Sequence, residues 1–526
     1  MRVSTVGEMR RLDQGAIEEF GVPDFLLMEN AGEAVYYEIV QTLGIDGRRF
    51  TVIGGPGNNG GDSFVVARKL HSTGAQVRVL IFAEVDRFAG PVHLNYEMIH
   101  RGGVRILVDP ASDEIAESLR WCDVVVDGLL GTGLTREVEG RFRQIIEQVN
   151  SAEKQVVAVD IPSGVDGDTG QVRGVAIRAD TTVTFGLPKR GNLLPPGSAL
   201  NGRLVVTHIS FPPKLLDDSG ILVSVTEPSR LPAGPIGHRD SSSGEVLCIG
   251  GSRDAFEAPG LAAPAVLRVG RCRVRLAVPQ STISFLAELD SQIVLAPQAE
   301  TPSGSLALSA LEGLLSLGRD ADFVVLGPGL PSDPETRELV RRLVAGLEKP
   351  LLMAADGATA VAAAPEVLRR RPGGTVLLLP HDELSRITIT SPPTSDREGD
   401  PIPPLQDVAE ALGIIPVLQG DPTLIGFPDR RVSLNLTGAS LHALAGSSEV
   451  MAGTIAAMYS LGLPLEEAVK TGVFLHGAAG DSAARGRDPG GIDTRTLLER
   501  LPVAAEALRD HYDDIRAEGP GTIKVI

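Results

Sequence analysis

The sequence feature that most constrains the fold is a glycine-rich loop that directly follows an apolar segment. Residues 52–62 read Val-Ile-Gly-Gly-Pro-Gly-Asn-Asn-Gly-Gly-Asp, and the apolar residues after them recur with helical spacing. Glycines lack the Cβ atom that would hold a ligand away from the backbone. A strand, a glycine-rich loop and a helix in succession are typical of nucleotide sites in open α/β sheets. The loop matches neither the dinucleotide fingerprint nor the P-loop, and a plain surface turn is the alternative interpretation.

Strand-like and helix-like segments alternate along most of the chain, which predicts parallel sheets with helices on both faces. One series of such segments ends near residue 208, and a second runs from residue 245 to residue 418. A stretch rich in proline and serine separates the two series. We therefore predict an α/β protein with two doubly wound domains. The first, residues 1–215, is a Rossmann-like three-layer sandwich, residues 216–243 are a linker, and residues 244–526 form the second domain.

The composition of the chain disfavours nucleic acids and membranes as partners. The 526 residues include 67 acidic and 49 basic side chains, a formal net charge of −18, and this disfavours a nucleic-acid partner because phosphate binding needs a positive field. No run of about 18 apolar residues is present, so we expect no membrane association. Cys122, Cys248 and Cys272 have neither metal-binding nor redox spacing. We predict a cytoplasmic protein, and we also expect a homo-oligomer.

Three further loops of the first domain follow predicted strands and carry polar residues. Asp127 precedes a glycine-rich loop that ends at Arg136, a combination suited to phosphate. Asp160 comes directly after the strand at 156–159, and Lys189 follows the next strand. The carboxyl ends of parallel strands meet at one edge of a sheet, so we expect these side chains to gather near the first loop.

The same loops contain hard oxygen donors. Asn59, Asp127 and Ser163, together with backbone carbonyls, could hold a cation. Asp166 and Asp168 lie in Asp-Gly repeats, which we interpret as turns.

Together these motifs closely resemble those of the NAD(P)H-hydrate epimerases. The matching segments are residues 28–32 (MENAG), 57–62 (GNNGGD), 127 with 131–136 (GTGLTR) and 160–170 (DIPSGVDGDTG), and the resemblance covers nearly all of residues 1–215. One departure is Ser63, which stands where the family often has glycine.

This resemblance implies an activity, a substrate and a cofactor. The substrate would be hydrated NADH or NADPH, inverted at the hydrated ring carbon, with Asp160 and Lys189 moving protons. A potassium ion would lie near Asn59, Asp127 and Ser163. The implied substrate-binding residues are Asn58, Asn59, Gly60, Gly61, Asp62, Gly131, Thr132, Gly133, Leu134, Thr135, Arg136 and Asp160.

The second half of the chain resembles the ADP/ATP-dependent NAD(P)H-hydrate dehydratases, which have a ribokinase-like fold. The matching segments are residues 250–252, 327–330, 380–381 and 476–481. The resemblance implies that the domain uses ADP or ATP with Mg²⁺. It places the substrate at Gly329 and His381, the catalytic carboxylate at Glu449, and the nucleotide at Gln419, Gly420, Thr423, Gly446, Ser447 and Ser448. For His381 and His476 a packing role is the alternative interpretation.

Several positions depart from the dehydratase pattern. The family's phosphate loop reads Gly-Ser-Gly-Asp, whereas residues 446–449 read Gly-Ser-Ser-Glu, and Gln419 and Ala354 replace a lysine and an aspartate. Ser448 adds a side chain where backbone must approach phosphate, and Glu449 displaces the carboxylate by roughly one methylene. We therefore predict a weak dehydratase. The alternatives are an inactive nucleotide-binding or oligomerising module, and a kinase of another small alcohol.

Overall fold

The computed structural model describes residues 1–232, 244–287, 290–354, 356–362, 364–369, 371–387, 399–441, 444–485, 491–518 and 523–525. Residues 233–243 of the predicted linker therefore lie outside the described residues. Contacts within the chain define two compact units, one of residues 1–223 with the C-terminal end of the chain and one of residues 224–521. No helix in the described part of the chain is long and apolar enough to cross a membrane.

The first unit is built on a parallel sheet. Its strands are β1 (Arg49–Gly54), β2 (Gln76–Ile81), β3 (Arg105–Val108), β4 (Val124–Gly128), β5 (Gln155–Val159), β6 (Thr181–Phe185) and β7 (Arg203–Thr207). Its helices are α1 (Val6–Glu18), α2 (Asp24–Thr42), α3 (Asn58–Ser72), α4 (Gly90–Arg101), α5 (Ser112–Trp121), α6 (Gly140–Ser151), α7 (Arg190–Leu193) and α8 (Pro213–Leu216), with 3₁₀ turns at Val85–Arg87 and Gly197–Leu200. The strand order is β7-β6-β5-β4-β1-β2-β3.

This order contains the switch point at which open α/β sheets bind ligands. β1 pairs with β2 on one side and with β4 on the other. The connection after β1 therefore leads toward one edge of the sheet, and the connection after β4 leads toward the opposite edge. Gly54 and Gly128 are aligned in register at this point. The central strands are buried along nearly their whole length, as expected of strands covered on both faces.

The second unit contains a larger sheet. Its strands are β8 (Val223–Val225), β9 (Glu245–Ile249), β10 (Arg273–Pro279), β11 (Ile293–Gln298), β12 (Phe323–Leu326), β13 (Leu351–Ala354), β14 (Thr375–Pro380), β15 (Ile415–Gln419), β16 (Thr423–Gly426) and β17 (Val432–Asn435). The order is β11-β10-β9-β12-β13-β14-β15-β16-β17-β8. The strands from β9 to β15 pair in parallel and form the core of the sheet. At its edge β15 pairs antiparallel with β16, and β16 pairs antiparallel with β17.

Helices and 3₁₀ turns surround this second sheet. The helices are α9 (Pro259–Val269), α10 (Ile283–Leu286), α11 (Leu311–Asp320), α12 (Pro334–Gly346), α13 (Asp356–Ala362), α14 (Glu366–Arg369), α15 (Ile402–Leu412), α16 (Ser447–Ser460), α17 (Leu465–Ala484), α18 (Thr494–Asp510) and α19 (Tyr512–Glu518). The 3₁₀ turns are Gln280–Thr282, Leu308–Ala310, His381–Arg386 and Ala439–Leu441. Ten residues of α16 are buried, so this helix is apolar on nearly all sides because it lies inside the unit.

The α/β class and the two sheets agree with the sequence analysis. Two details differ from the predicted boundaries. The C-terminal strand β18 (Ile523–Val525) pairs in parallel with β7 of the first sheet, although it follows residues of the second unit, and a three-residue strand carries too little pattern to assign it to a sheet. Within the predicted linker, β8 is a strand of the second sheet.

The loops after β1 and β4 are in direct contact, and this contact generates a stability prediction. A Cβ atom on Gly55 would lie 1.8 Å from the carbonyl oxygen of Leu129, whereas a Cβ on Gly57 would meet nothing within 4 Å. We expect Gly55→Ala to lower the free energy of unfolding by about 1–3 kcal/mol or more, because two backbone segments must separate. Gly57→Ala, measured by the same denaturant titration, should stay within about 0.5 kcal/mol of the unaltered chain. Equal stability of the two variants would contradict this packing.

Candidate active sites

A cavity of about 600 Å³ opens at the switch point of the first sheet. Its wall combines the loops after β1, β4, β5 and β6 with residues of α1 and α2. Of the residues predicted from sequence, the cavity is lined by Asn58, Asn59, Asp62, Gly131, Thr132, Gly133, Leu134, Thr135, Arg136, Asp160 and Lys189. Gly60 and Gly61 lie behind the wall, where Gly60 packs against Gly55 and Gly61 against Met28. The structure therefore brings the four loops to one cavity.

Asp160 and Lys189 form a buried ion pair at this cavity. The Nζ of Lys189 donates to Oδ1 of Asp160, to the hydroxyl of Thr184 at 2.9 Å and to the carbonyl of Phe185 at 3.1 Å. The side chain of Lys189 is 2% exposed and that of Asp160 is 14% exposed. The Thr184 hydroxyl also donates to Oδ1 of Asp160 at 2.9 Å. Within the described residues all hydrogen bonds to this carboxylate reach Oδ1, so Oδ2 can face a ligand.

The backbone of Asp160 is strained. Its φ of 67° lies in the left-handed region, which residues with a Cβ rarely adopt. Two hydrogen bonds hold this conformation: the amide of Asp160 donates to the carbonyl of Val183 at 2.8 Å, and the side-chain amide of Asn192 donates to the carbonyl of Asp160 at 3.3 Å. Strain of this kind occurs preferentially at functional positions, which supports Asp160 as the centre of the site.

Asn59, Asp127 and Ser163 converge beside the carbonyl of Leu130. The side-chain amide of Asn59 donates to that carbonyl at 3.1 Å, and the hydroxyl oxygen of Ser163 lies 3.1 Å from it. Ser163 donates from its hydroxyl and its amide to the two oxygens of Asp127, at 2.6 and 2.9 Å. Burial nevertheless raises the pKa of Asp127 above its usual value, against these hydrogen bonds. The Oδ1 atom of Asn59 is buried and accepts no hydrogen bond from the described part of the protein.

Two further carboxyl groups line the same cavity. Burial, followed by the nearby carboxylates of Asp160 and Asp13, raises the pKa of Asp62 well above its usual value, while Lys189 acts in the opposite direction. Burial raises the pKa of Asp13 to about 6, Lys189 opposes this rise, and Asp160 adds to it. Sequence reasoning missed Asp13, because it is a single acidic residue in an amphipathic helix and belongs to none of the motifs.

Asp166 and Asp168 serve the loop that carries them. Oδ1 of Asp166 accepts hydrogen bonds from the amides of Asp168 at 2.9 Å and Thr169 at 3.0 Å, and its carboxylate pairs with Arg173 at 2.7 Å. Asp168 accepts a hydrogen bond from the amide of Val6 at 2.6 Å. These contacts agree with the interpretation of the Asp-Gly repeats as turns, and they attach the start of α1 to the loop after β5.

In the second unit, a cavity of about 260 Å³ lies between the end of β15 and the start of α16. It is lined by Gln419, Gly420, Thr423, Ser447 and Ser448 among the predicted nucleotide-binding residues. Gly446, the sixth, precedes α16 with a φ of 82° and allows the turn into the helix.

Two residues that depart from the dehydratase pattern contact each other in this cavity. The hydroxyl of Ser448 donates to the side-chain carbonyl oxygen of Gln419 at 2.7 Å. His476 also lines the cavity, is buried, and lies 3.1 Å from the hydroxyl of Ser447. The packing role considered for His476 is consistent with this contact.

Gly329, His381 and Glu449 do not line this cavity. Gly329 has a φ of 73°, and a Cβ there would lie 2.4 Å from the carbonyl of Ala255. His381 is exposed beside Gly420. Burial raises the pKa of Glu449, and the carboxylate of Asp356 raises it further. The structure thus gathers five of the six predicted nucleotide-binding residues in one cavity, whose lining does not include Gly329, His381 or Glu449.

Comparisons with known proteins agree with this division of the chain. Residues 25–191 match the family model of the YjeF-related protein N-terminus, and residues 246–503 match that of NAD(P)H-hydrate dehydratase. A bifunctional NAD(P)H-hydrate repair enzyme Nnr from Thermofilum pendens is 43% identical over 528 residues and is covered completely, as is this chain. One from Moorella thermoacetica is 35% identical over 530 residues, which cover 99% of this chain and 100% of that protein.

Solved structures also resemble the chain. A Bacillus subtilis ADP/ATP-dependent NAD(P)H-hydrate dehydratase, co-crystallised with ATP and Mg²⁺, is 22% identical with a TM-score of 0.42, covering 51% of this chain and 93% of that one. The family of this chain follows from its identity to the two full-length relatives and from the share of each chain that is covered. The chain therefore belongs to the bifunctional NAD(P)H-hydrate repair enzymes, which combine an epimerase and a dehydratase of hydrated NAD(P)H.

Proposed function

We propose that the cavity of the first unit is the epimerase site and that Asp160 transfers protons during inversion of the hydrated ring carbon. The observation that carries this proposal is the Asp160 carboxylate, held at a strand end by Lys189 and Thr184, which both donate to Oδ1; among the described residues none donates to Oδ2. The second oxygen is free to accept or return a proton within a largely buried site. Lys189 and Thr184 fix the orientation of the carboxylate toward the cavity.

The loop 131–136 supplies the rest of the binding site. Its residues line the cavity, and the exposed Arg136 at its end can reach the phosphate groups of the dinucleotide. Asn58 and Asn59, at the start of α3, offer amide groups next to the helix N-terminus. The hydrated nicotinamide ring would then lie at the buried end of the cavity near Asp160, and the phosphate groups would lie near solvent.

Replacing Asp160 tests this assignment. We expect Asp160→Asn to lower the rate of epimerisation by about 10²–10⁴-fold, because the amide keeps the volume but cannot accept a proton. The measurement is the interconversion of R and S hydrates by chromatography, without added nucleotide. Asp46→Asn, which changes an exposed aspartate of the same unit, should keep the original rate. If Asp160→Asn retains half of the rate, Asp160 only positions the ligand and Lys189 becomes the leading candidate.

We also propose that a potassium ion binds beside the epimerase site, held by Asn59, Asp127 and Ser163. These residues fit a hard cation, because they provide amide, carboxylate and hydroxyl oxygens. The buried Oδ1 of Asn59 has no hydrogen-bond donor in the described part of the chain, and the Asp127 carboxylate is desolvated. A cation there would offset the charge of Asp127 and hold the loops after β1, β4 and β5 together.

The cation should be detectable in both stability and rate. Since a ligand that binds only the folded state stabilises it, potassium is expected to raise the melting temperature of the first unit, and lithium to do so less. Epimerisation should slow in potassium-free buffer. In Asn59→Ala the melting temperature should lose its dependence on potassium. If the melting temperature and the rate of epimerisation are both unchanged in thoroughly potassium-free buffer, the proposed potassium site is contradicted.

For the second unit we propose a slow dehydratase that uses ADP or ATP with Mg²⁺. Residues 419, 420, 423 and 446–448 would bind the nucleotide, Gly329 and His381 the substrate, and Glu449 would be the catalytic acid. Two observations support a reduced rate. Ser448 directs its hydroxyl toward Gln419 across the cavity, and a side chain there competes with the approach of phosphate to backbone amides. Gln419 carries no charge to stabilise a phosphoryl group.

Because Ser448 and Gln419 are hydrogen-bonded to each other, both should be replaced together by the residues of the dehydratase pattern. We expect Ser448→Gly with Glu449→Asp and Gln419→Lys to raise the rate of S-hydrate dehydration at least about tenfold with ADP or ATP, since electrostatic positioning dominates phosphoryl transfer. Ser448→Gly alone should give less, because Gln419 then loses its donor.

Two outcomes would contradict the proposal of a slow dehydratase. If the unaltered protein already dehydrates the S hydrate at about 1 s⁻¹ or faster, the second site is fully active. If nucleotide binds but no variant gains activity, the second unit is a nucleotide-binding module. The cytoplasmic location, the homo-oligomer and the absence of a nucleic-acid partner stay predictions from sequence.

A further inference from the structure

We propose that Asp13 of α1 is a second catalytic residue of the epimerase site and exchanges protons with the face of the substrate ring opposite to Asp160. This inference rests on the proposed epimerisation in this cavity. It concerns a residue outside all the loops that carry the family motifs.

The chemistry of inversion requires two proton-transfer groups. The bond between the hydrated ring carbon and its hydroxyl oxygen breaks with its electrons on oxygen, and a proton from Asp13 completes a water molecule. The lone pair of the ring nitrogen forms a second bond to the carbon. A solvent water then adds to the other face and gives its proton to Asp160. One water leaves and one enters, and nothing is oxidised or reduced. In the reverse direction the two carboxyl groups exchange roles.

The structure places Asp13 firmly in the cavity wall. α1 begins with a capping box between Thr5 and Glu8, and the amide of Val6 donates to Asp168 at 2.6 Å. Met9 is buried, and its Cε atom lies 2.6 Å from where a Cβ of Gly186 would stand. Asp13, one turn beyond Met9, lines the same cavity as Asp160 and Lys189. A helix fixed at its start and along its apolar face holds its side chains with little freedom, as catalysis requires.

The two carboxyl groups have different surroundings. Asp160 accepts hydrogen bonds from Lys189 and Thr184, whereas in the described part of the chain no group donates to Asp13. Burial raises the pKa of Asp13 to about 6, against the effect of Lys189. Asp13 is therefore the carboxyl group of the two that we propose as the proton donor. The other charged groups that line the cavity are Arg10, Asp24, Asp62 and Arg136.

Asp62 is less suited to the role, although it lies nearby. Burial together with the carboxylates of Asp160 and Asp13 raises its pKa well above the usual value. Asp13 titrates within reach of neutral pH, and this distinguishes the two.

The test compares Asp13→Asn, Asp13→Glu and the control Glu18→Gln, which alters an exposed carboxylate of the same helix. For Asp13→Asn we expect kcat of epimerisation to fall about 10²–10⁴-fold with KM changed less than about threefold. Asp13→Glu should restore part of kcat, and Glu18→Gln should match the unaltered protein. Melting curves and circular dichroism establish that each variant is folded.

The pH profile separates catalysis from a structural role. In the unaltered protein kcat should fall as pH rises through about 6, because Asp13 then loses its proton. This decrease of kcat with rising pH should be absent in Asp13→Asn. In Asp13→Glu it should remain but occur at a different pH. A kcat of Asp13→Asn within threefold of the original, or an unchanged decrease of kcat with rising pH in that variant, would overturn the assignment. If Asp160→Asn is inactive while Asp13→Asn is not, only this inference fails; if the unaltered protein does not epimerise, the proposed function fails.

Discussion

The buried ion pair between Lys189 and Asp160 is the interaction on which the first site depends. An ammonium that is 2% exposed is costly unless its charge is compensated and its donors are satisfied. Asp160, Thr184 and the carbonyl of Phe185 satisfy them. In return, Lys189 orients the Asp160 carboxylate and ties the loops after β5 and β6 together. Removing either partner would leave a buried charge without compensation, so folding and catalysis here share one contact.

Much of this site could be predicted from sequence because each motif follows a strand. The carboxyl ends of parallel strands meet at one edge of a sheet, and this rule alone predicts that Asn59, Asp127, Asp160 and Lys189 lie close together. Asp13 could not be predicted in this way. It lies in a helix before the first strand, and its proximity to Asp160 depends on how α1 packs across the sheet edge. Periodicity assigns α1 a buried face but does not identify which polar residue borders a cavity.

The second unit shows a different limit of sequence reasoning. In the sequence, residues 419–420 and residues 446–449 are two separate departures from the dehydratase pattern. The structure shows that Ser448 and Gln419 are hydrogen-bonded to each other, a relation between residues 29 positions apart that no local pattern carries. Such a pair couples the effects of single substitutions. The antiparallel strands β16 and β17 were also missed, since their short apolar segments differ little from turns.

The division of labour between the two units can be measured in one experiment. Purified R hydrate of NADH is given to the unaltered chain and to Asp160→Asn with ATP and Mg²⁺, and the return of NADH absorbance is followed; S hydrate is given in parallel. We expect the unaltered chain to return NADH from both forms, and Asp160→Asn to return it from the S hydrate alone, at the original rate. Formation of NADH from the R hydrate by Asp160→Asn, faster than uncatalysed inversion allows, would contradict the role given to Asp160.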